Sequence, residues 1–304
     1  MTPLFKFEGI YTPVVTPYHE DCSVNWDALS DVIEYLIENG VHGLISGGST
    51  GENYAQSVAE RIEVAKFTYE QMKGRLPLVV STGAMMTSDS MALATGAREI
   101  GADSILLASP AYSVPTDQEN ALNALAIDKA ADLPVMLYNY PHRTGTMMGE
   151  EFLDRVGRSR NFCGIKESSG DINRVHLLAR DYPHIQLGCG MDDQALEFFA
   201  WGAKSWVCAG SNFLPKEHVA LYQACVVEND FNKGRKIMAA MMPLMSVLEQ
   251  GGKFIQSVKH GVTFDGRDAG IVRSPLMGLD EAEKTELEQV IVALQKNIAS
   301  IVAE

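Results

Sequence analysis

Eight short apolar segments rich in β-branched residues recur along the chain, and most are followed by a stretch with apolar residues three and four positions apart. The first pattern is typical of buried parallel strands and the second of amphipathic helices. The strand segments are residues 10–16, 43–46, 78–82, 104–108, 135–139, 163–166, 185–187 and 205–209. Their centres lie 20 to 35 residues apart, which is enough for one crossover helix between neighbouring strands.

This alternation predicts an α/β fold, namely a (β/α)8 TIM barrel. An open doubly wound sheet typically has fewer strands and a nucleotide-binding fingerprint, and no such fingerprint follows a strand here. The outer-ring helices include residues 26–39, 57–73, 88–100 and 117–130.

Beyond Glu228 the alternation stops and the pattern becomes helical. Helices are predicted over residues 231–249, 254–264 and 280–303. We therefore expect a barrel in residues 1–229 that carries the active site, and a C-terminal helical extension in residues 230–304. No linker rich in Gly, Ser or Pro separates the two, so the extension should pack against the barrel.

The composition excludes several classes of partner. The chain has 304 residues, of which 46% are hydrophobic, so its core needs no metal or disulfide. Acidic residues outnumber basic ones 39 to 25, the formal charge is −14, and no basic stripe is present. Nucleic acid and anionic membranes are therefore poor partners. No apolar run reaches the ~20 residues of a membrane span.

The cysteines are scattered, odd in number and never in a metal-ligand spacing: Cys22, Cys163, Cys189, Cys208 and Cys225. They predict reduced thiols and no metal site. Residues 1–11 lack the charged and apolar regions of a secretory signal. Together these features favour a cytoplasmic protein without a metal cofactor.

Lys166, at the end of the sixth strand segment, is the leading candidate for catalysis, because residues that end the strands of such a barrel face the active site. A lysine in a buried strand is rare, since desolvating an ammonium is costly. Burial favours the neutral amine, which can attack a carbonyl carbon. The alternative is a lysine whose ammonium reaches solvent or pairs with Glu167.

A second polar cluster, residues 138–144, ends the fifth strand segment. Tyr138 could relay protons while an amine adds to a ketone, or it could be a packed core tyrosine. Arg143 offers a planar fork that matches a carboxylate. His142 is expected to be a loop residue and not a base.

A glycine-rich segment, residues 47–52, ends the second strand segment and leads toward a helix. Glycines there allow backbone N–H groups to approach an anion, and the hydroxyls of Ser49 and Thr50 add donors or a proton relay. The segment lacks the lysine of a nucleoside triphosphate-binding loop. Because such turns are also common for structural reasons, the segment alone does not identify a ligand.

Together, these motifs resemble the dihydrodipicolinate synthase and N-acetylneuraminate lyase family. The likeness spans nearly the whole chain and rests on segments in the expected order: Thr12-Pro13-x-x-Thr16-Pro17, Gly48-Ser49-Thr50-Gly51-Glu52, Tyr138-Asn139-x-Pro141 with Arg143-Thr144, Gly164-Ile165-Lys166-Glu167-Ser168 and Arg273-x-Pro275-Leu276. The resemblance implies a barrel with a helical tail, a homotetramer, and a lysine Schiff base with pyruvate or a substrate that yields it. No metal or organic cofactor is implied.

The resemblance also implies roles for individual residues. Lys166 is similar to the Schiff-base lysine of the family and Tyr138 to its proton-transferring tyrosine. Ser49 and Thr50 resemble the residues that bind the pyruvate carboxylate, and Thr50 also belongs to the proton relay. Tyr112, after the fourth strand segment, resembles the tyrosine that completes the relay in the site of a neighbouring subunit. Without the resemblance, Tyr112 would be interpreted as a surface residue.

The residues that bear on the second substrate point to different reactions. Arg143 resembles the arginine that synthases of the family use for the carboxylate of aspartate semialdehyde. Yet those synthases typically have threonine where Ser49 stands and a tyrosine pair where this chain has Ala111-Tyr112. Both departures argue against a role in lysine biosynthesis.

Two further segments resemble the sugar-acid aldolases. Gly190, Asp192 and Asp193 follow the seventh strand segment, where those enzymes bind substrate hydroxyls. Ala209 begins a run of small residues that leaves room for a longer substrate. Two carboxylates suit a polyol and would repel phosphate, so we expect a non-phosphorylated substrate. Alternatively, Asp192 and Asp193 cap the helix that follows.

The leading hypothesis is a Schiff-base lyase that cleaves a 2-oxo-3-deoxy sugar acid, or a similar hydroxy-oxo acid, to pyruvate and an aldehyde. The alternatives are 4-hydroxy-tetrahydrodipicolinate synthase, which condenses pyruvate with aspartate semialdehyde, and a Schiff-base dehydratase or deaminase. A 2-oxo-acid-binding protein without turnover is the non-enzymatic alternative. An oxidoreductase is disfavoured, since no Gly-x-Gly-x-x-Gly follows a strand.

Overall fold

The structure is a computed structural model that describes residues 4–303. Its strands are β1 (Gly9–Pro13), β2 (Gly43–Ser46), β3 (Leu78–Ser81), β4 (Ser104–Ala108), β5 (Val135–Asn139), β6 (Phe162–Glu167), β7 (Gln186–Cys189) and β8 (Ser205–Val207). All neighbours pair in parallel and in chain order, and β1 also pairs with β8. This closed barrel confirms the predicted TIM-barrel fold.

Helices connect the strands: α1 (Trp26–Glu38), α2 (Val58–Met72), α3 (Thr87–Ile100), α4 (Asp117–Ala131), α5 (Pro141–Thr144), α6 (Glu150–Val156), α7 (Ile172–Asp181), α8 (Ala195–Ala200) and α9 (Pro215–Tyr222). The four helices predicted between the early strands are confirmed to within one or two residues. Their starts follow from local chemistry, since the Ser57 side chain caps α2 and Thr116 forms a capping box with Glu119 at α4.

The first strand is shorter than its apolar segment. Strand β1 ends at Pro13. The Val14 N–H still donates to the Ile45 carbonyl at 3.0 Å, but the Val15 N–H donates to Asn212 Oδ1 at 3.1 Å and not to a neighbouring strand. Asn212 lies in the loop after β8, so this hydrogen bond links the loops that follow the first and the last strand of the barrel. The prediction that residues 14–16 belong to the first strand is therefore wrong.

The barrel interior is filled by a layer of mostly apolar side chains: Phe7, Tyr11, Ile45, Val79, Leu106, Met136, Cys163 and Val207. Tyr138 packs against this layer. Buried apolar area of this kind is the main stabilising term of the fold. The polar residues at the carboxyl ends of the strands therefore lie next to this apolar layer.

An irregularity in β6 changes the direction of its last side chains. Val135 pairs with Phe162, and the next residue of β5, Met136, pairs with Gly164, so Cys163 is an extra residue in β6. A bulge of this kind interrupts the alternation of side chains along a strand and re-aims those that follow. The end of β6 is therefore turned relative to its beginning.

Beyond the bulge, Lys166 pairs with Tyr138 across the two strands. Gly164, two residues earlier, lies against the interior layer, where a Cβ atom would be 2.7 Å from the ring of Phe7. Side chains two positions apart share a face of a strand, so Lys166 shares the interior face with Gly164. Gly164 leaves room for the ring of Phe7 in the interior layer, and Lys166 lies beyond that layer, toward the carboxyl end of the strand.

Three helices follow the barrel: α10 (Phe231–Met245), α11 (Phe254–Phe264) and α12 (Glu281–Ala303). The helix predicted over residues 231–249 is a regular α-helix only to Met245, and Ser246–Gln250 forms a π-helical turn. Pro243 lies just before this turn and cannot donate a backbone hydrogen bond, a common reason for a change of helical geometry. α10 packs against α8, α9 and α12.

Within residues 4–303, no helix is both long and apolar enough to cross a membrane. The expectation about a signal in residues 1–11 falls partly on residues 1–3, which lie outside the described residues, as does residue 304 of the extension.

Candidate active site

Lys166 and Tyr138 lie side by side at the carboxyl ends of β6 and β5. Nζ of Lys166 stands 4.1 Å from the centroid of the Tyr138 ring, and Lys166 is only 7% exposed. The ring of Tyr138 stacks on that of Tyr140, with centroids 5.7 Å apart. The amine is therefore buried next to a phenol that could exchange protons with a bound molecule.

Glu167 has partners other than Lys166, so the alternative of a Lys166–Glu167 pair is wrong. Its carboxylate accepts hydrogen bonds from Asn139 Nδ2 at 3.0 and 2.8 Å and from the Ser169 N–H at 2.7 Å. Arg174 Nε lies 3.8 Å away. Adjacent side chains of a strand point to opposite faces, which separates this carboxylate from the amine. The bonds hold the ends of β5 and β6 together.

Gly190, directly after β7, lies against the side chain of Lys166. A Cβ atom at Gly190 would be 2.7 Å from Lys166 Cγ and 2.0 Å from Ser168 Oγ. The Ser168 hydroxyl donates a hydrogen bond to the Gly190 carbonyl at 2.9 Å. Only glycine allows this close approach, so Gly190 shapes the site through its backbone.

Asp192 is buried near the lysine, 3% exposed. Its Oδ1 accepts a hydrogen bond from Trp206 Nε1 at 2.8 Å, and the backbone N–H of Ala209 also donates to it. Burial raises the pKa of Asp192 to about 6, although the Trp206 hydrogen bond and the charge of Lys166 oppose the rise. Helix α8 has no side-chain cap, so the alternative that Asp192 and Asp193 cap it is wrong.

The glycine-rich loop after β2 contains two residues with left-handed backbone, Gly47 (φ 68°) and Glu52 (φ 60°). Between them, Ser49–Gly51 forms a 3-10 turn in which Thr50 is buried and Ser49 half-buried. The carboxyl ends of barrel strands meet at one end of the barrel. The two hydroxyl-bearing residues therefore lie at the same end as the lysine.

Arg143 and His142 lie in the one-turn helix α5, which begins two residues after β5. Arg143 is exposed and hydrogen-bonds to the Tyr140 hydroxyl. Burial raises the pKa of Tyr140, and this hydrogen bond lowers it in part. His142 Nε2 lies 3.1 Å from the Ser169 carbonyl oxygen, so His142 links the loops after β5 and β6.

Tyr112, in the loop after β4, is 94% exposed and has a left-handed backbone with φ 69°. Val114, two residues on, is also exposed and has φ 46°. Left-handed backbone is costly for residues other than glycine, and such strain concentrates at functional positions. The loop thus presents an aromatic side chain outward from its own chain.

Glu249 was missed by the sequence interpretation. It lies in the π-helical turn after α10, and its pKa is raised to about 8 by burial and by the negative charges of Asp192 and Asp193, against the positive charges of Lys166 and Arg143. The charged groups that act on Glu249 lie at the end of β6 and in the loops after β5 and β7. The helical pattern over residues 231–249 contains no signal of this proximity, which arises from tertiary packing.

Two buried thiols, Cys189 and Cys208, follow β7 and β8. Burial and the charge of Asp192 raise the pKa of both thiols, so they stay protonated and are poor nucleophiles. Among the described residues, no group of three or more His, Cys, Asp or Glu side chains could hold a metal ion.

Known proteins resemble the chain over nearly its full length. The model of the Dihydrodipicolinate synthetase family matches residues 6–294. A 4-hydroxy-tetrahydrodipicolinate synthase of Cellvibrio japonicus is 30% identical over 292 residues, which cover 95% of this chain and 98% of that protein. A protein of the same name from Pseudomonas putida is 33% identical over 277 residues, 90% of this chain and 93% of its own.

Solved structures of the same family also resemble the chain over nearly its full length. The 4-hydroxy-tetrahydrodipicolinate synthase of Methylacidiphilum fumariolicum SolV superposes with a TM-score of 0.92 at 28% identity, over 98% of this chain and 99% of that one. YagE, a prophage protein of the dihydrodipicolinic acid synthase family from E. coli K12, in complex with pyruvate, superposes with a TM-score of 0.89 at 27% identity, over 96% and 99%. Both likenesses include the barrel and the helical extension.

Proposed function

The chain belongs to the dihydrodipicolinate synthetase family of lysine Schiff-base lyases, and from that premise we propose that Lys166 forms the Schiff base with a 2-oxo acid. The observation that carries this assignment is the position of the Lys166 amine, buried at the carboxyl end of the barrel and 4.1 Å from the centroid of the Tyr138 ring. The chemistry requires an unprotonated amine at the moment of attack on the carbonyl carbon.

In the proposed reaction, the amine of Lys166 adds to the C2 carbonyl carbon, and the oxygen leaves as water to give an imine. Tyr138 passes protons to and from that oxygen. When the C3–C4 bond of a 4-hydroxy-2-oxo acid breaks, its electron pair enters an enamine on Lys166, and the C4 hydroxyl loses its proton as the aldehyde forms. Protonation at C3 and hydrolysis then release pyruvate and restore the amine.

The substrate carboxylate is assigned to the loop after β2. Backbone N–H groups of the Ser49–Gly51 turn and the hydroxyls of Ser49 and Thr50 are suited to a carboxylate. Thr50 also passes protons to Tyr138 in this scheme, and Tyr112 of a neighbouring subunit completes the relay. The outward position of Tyr112, 94% exposed, supports a role in a second chain. The homotetramer is proposed from the family resemblance, and the cytoplasmic location from the scattered, unpaired cysteines.

Aldol cleavage of a 2-oxo-3-deoxy sugar acid, or of a similar hydroxy-oxo acid, is the leading proposal for the specific reaction. Gly190 borders Lys166. We assign the adjoining wall to Asp192, which is buried and accepts a hydrogen bond from the Ala209 N–H, and to Asp193 and Ala209 beside it. An acidic wall suits a substrate with hydroxyl groups and disfavours phosphate.

The proposed division of the chain into a barrel and an extension assigns the Schiff-base chemistry to residues 1–229 and a supporting role to residues 230–304.

Condensation of pyruvate with aspartate semialdehyde is the second candidate. Relatives that are 30% and 33% identical are 4-hydroxy-tetrahydrodipicolinate synthases. Exposed Arg143, at the rim of the site, offers a fork for a second carboxylate. Ser49 and Ala111, which depart from the pattern of the synthases, weigh against this candidate.

Reductive trapping tests the central proposal. Incubation with pyruvate and borohydride should leave a 1-carboxyethyl group on the amine of Lys166, located by mass spectrometry of peptides, and Lys166→Met should abolish this adduct. Lys66→Met is the control, since that lysine is exposed on α2, away from the site. No adduct, or an adduct on another lysine, would overturn the assignment.

A second experiment separates aldol cleavage from condensation with aspartate semialdehyde. A panel of 4-hydroxy-2-oxo acids is assayed for pyruvate release, and the condensation of pyruvate with aspartate semialdehyde is assayed alongside.

A further inference from the structure

Strands β5 and β6 end in a pair of polar side chains that face away from the barrel interior. Asn139 and Glu167 pair with each other across the two strands, as Tyr138 and Lys166 do one position earlier. Adjacent residues of a strand point to opposite faces, so Asn139 and Glu167 lie behind the candidate site and do not reach a substrate in it. Both are buried, 0% and 1% exposed.

Hydrogen bonds hold this pair in one arrangement. Asn139 Nδ2 lies 3.0 and 2.8 Å from the two oxygens of Glu167, and the Ser169 N–H donates to Oε1 at 2.7 Å. Arg174 Nε, 3.8 Å away, supplies a countercharge. Asn139 Oδ1 accepts from the Met148 N–H at 3.0 Å. The pair therefore joins the ends of both strands to the loops that follow them.

The named strands end at this pair, and the Ser168 N–H still donates to the Asn139 carbonyl at 2.9 Å. The ends of secondary-structure elements open locally at little cost in free energy. Side-chain bonds at this position oppose a separation of the two strands. They therefore also oppose a change in the spacing of Lys166 and Tyr138, whose Nζ and ring centroid lie 4.1 Å apart.

We propose that Glu167 and Asn139 are positioning residues whose hydrogen bonds fix the distance between the Lys166 amine and the Tyr138 phenol during imine formation. The inference rests on the proposed Schiff-base function and extends it to two residues that do not touch the substrate. A buried charge is a weak source of stability, since apolar side chains of similar volume often serve as well, but it can specify one arrangement. Rates depend steeply on such an arrangement, because a misplacement of about 1 Å can cost about 10²-fold.

An exchange of the two functional groups tests this role. In Glu167→Gln the new NH2 group faces a donor, either Asn139 Nδ2 or the Ser169 N–H, and Asn139→Asp sets two carboxylates against each other. In the double variant Asn139→Asp/Glu167→Gln, the amide at position 167 donates to the carboxylate at position 139 and still accepts from Ser169. The carboxylate still accepts from the Met148 N–H.

The readout is the rate at which saturating pyruvate is trapped by borohydride on Lys166. Each single variant should lower this rate by about 10- to 100-fold, and the double variant should recover most of the loss. The pyruvate concentration that gives half the maximal rate should change little, because the carboxylate is assigned to the loop after β2.

Asp128→Asn is the matched control. Asn161, directly before β6, donates from Nδ2 to Asp128 Oδ1 at 2.7 Å in a buried pair at the opposite end of the strand. This substitution also sets an amide against an amide, so it should lower the urea midpoint as Glu167→Gln does, and yet leave the trapping rate unchanged. Should Glu167→Gln not fold, Glu167→Asp, which keeps the charge on a shorter side chain, should show the loss of rate.

Wild-type trapping rates in the single variants, a double variant no faster than they are, or an equal loss of rate in Asp128→Asn would overturn the positioning role. If the wild-type protein forms no adduct on Lys166, the Schiff-base proposal itself fails.

Discussion

Lys259 Nζ, on α11, lies 2.5 Å from Glu52 Oε1 in the loop after β2. Both side chains are buried, 3% and 0% exposed. The same ammonium donates to the Ile271 carbonyl, and the other Glu52 oxygen accepts from the Arg273 N–H at 3.0 Å. The extension therefore holds the loop that carries Ser49 and Thr50.

Glu52→Gln should destabilise the protein by about 3–5 kcal/mol, because it leaves the ammonium of Lys259 buried without its countercharge. Urea denaturation at pH 7 measures the change. Glu70→Gln is the matched control, since the Lys66–Glu70 pair is exposed and 3.9 Å long, and its loss should cost less than about 0.5 kcal/mol. Similar effects of the two substitutions would contradict a buried ion pair.

Asp192 should make stability depend on pH. Its pKa is raised from 3.8 to about 6 in the folded chain, so the folded state binds more protons than the unfolded state. This contribution is fully present below about pH 4 and is lost as the pH rises through 6.

Asp192→Asn should therefore raise the free energy of unfolding by about 1–3 kcal/mol at pH 7 and by little at pH 4. The asparagine oxygen can still accept from Trp206. Chemical denaturation at the two pH values measures the difference. Asp192→Ala, which removes the acceptor as well, should show a smaller gain or a loss at pH 7. A gain for Asp192→Asn that is equal at both pH values would exclude titration of Asp192 as the cause.

The barrel was predictable because each βα unit repeats a local pattern. The run at residues 104–108, for example, is apolar from Ile105 to Ala108 and buried from Ser104 to Leu107, as expected for strand β4 of a parallel barrel. The same pattern located the strand ends, and with them Lys166 and Tyr138. Local chemistry was sufficient for the helix starts at Ser57 and Thr116.

Three features could not be read from the sequence. The bulge at Cys163 is one residue within a continuous apolar run, where an extra residue does not interrupt the pattern. Glu249 and Lys259 belong to amphipathic helices, in which polar residues are expected to face solvent. Only the packing of the extension on the barrel brings these two side chains to the loops of the site.

Arg143→Ala should weaken substrates with a second carboxylate by about 10- to 100-fold in kcat/KM, because a charge-assisted hydrogen bond is worth about 1.5–3 kcal/mol. Pyruvate trapping on Lys166 should change much less. Arg143→Lys is the control that keeps the charge but not the fork, and it should recover only part of the loss. Equal losses for pyruvate and for the longer substrate would rule out a role in the second carboxylate.

Tyr112→Phe should lower kcat by about 10²-fold or more if its hydroxyl relays protons, with an unchanged urea midpoint because the side chain is 94% exposed. Hybrid assemblies of two variants show whether Tyr112 acts in its own chain or in a neighbouring one. Lys166→Ala chains retain Tyr112, and Tyr112→Phe chains retain Lys166. Hybrids of the two, assembled by co-expression and isolated by two tags, should therefore regain activity that neither variant has alone. Each variant, carried through the same procedure by itself, is the control. Inactive hybrids would mean that the tyrosine does not serve a neighbouring subunit.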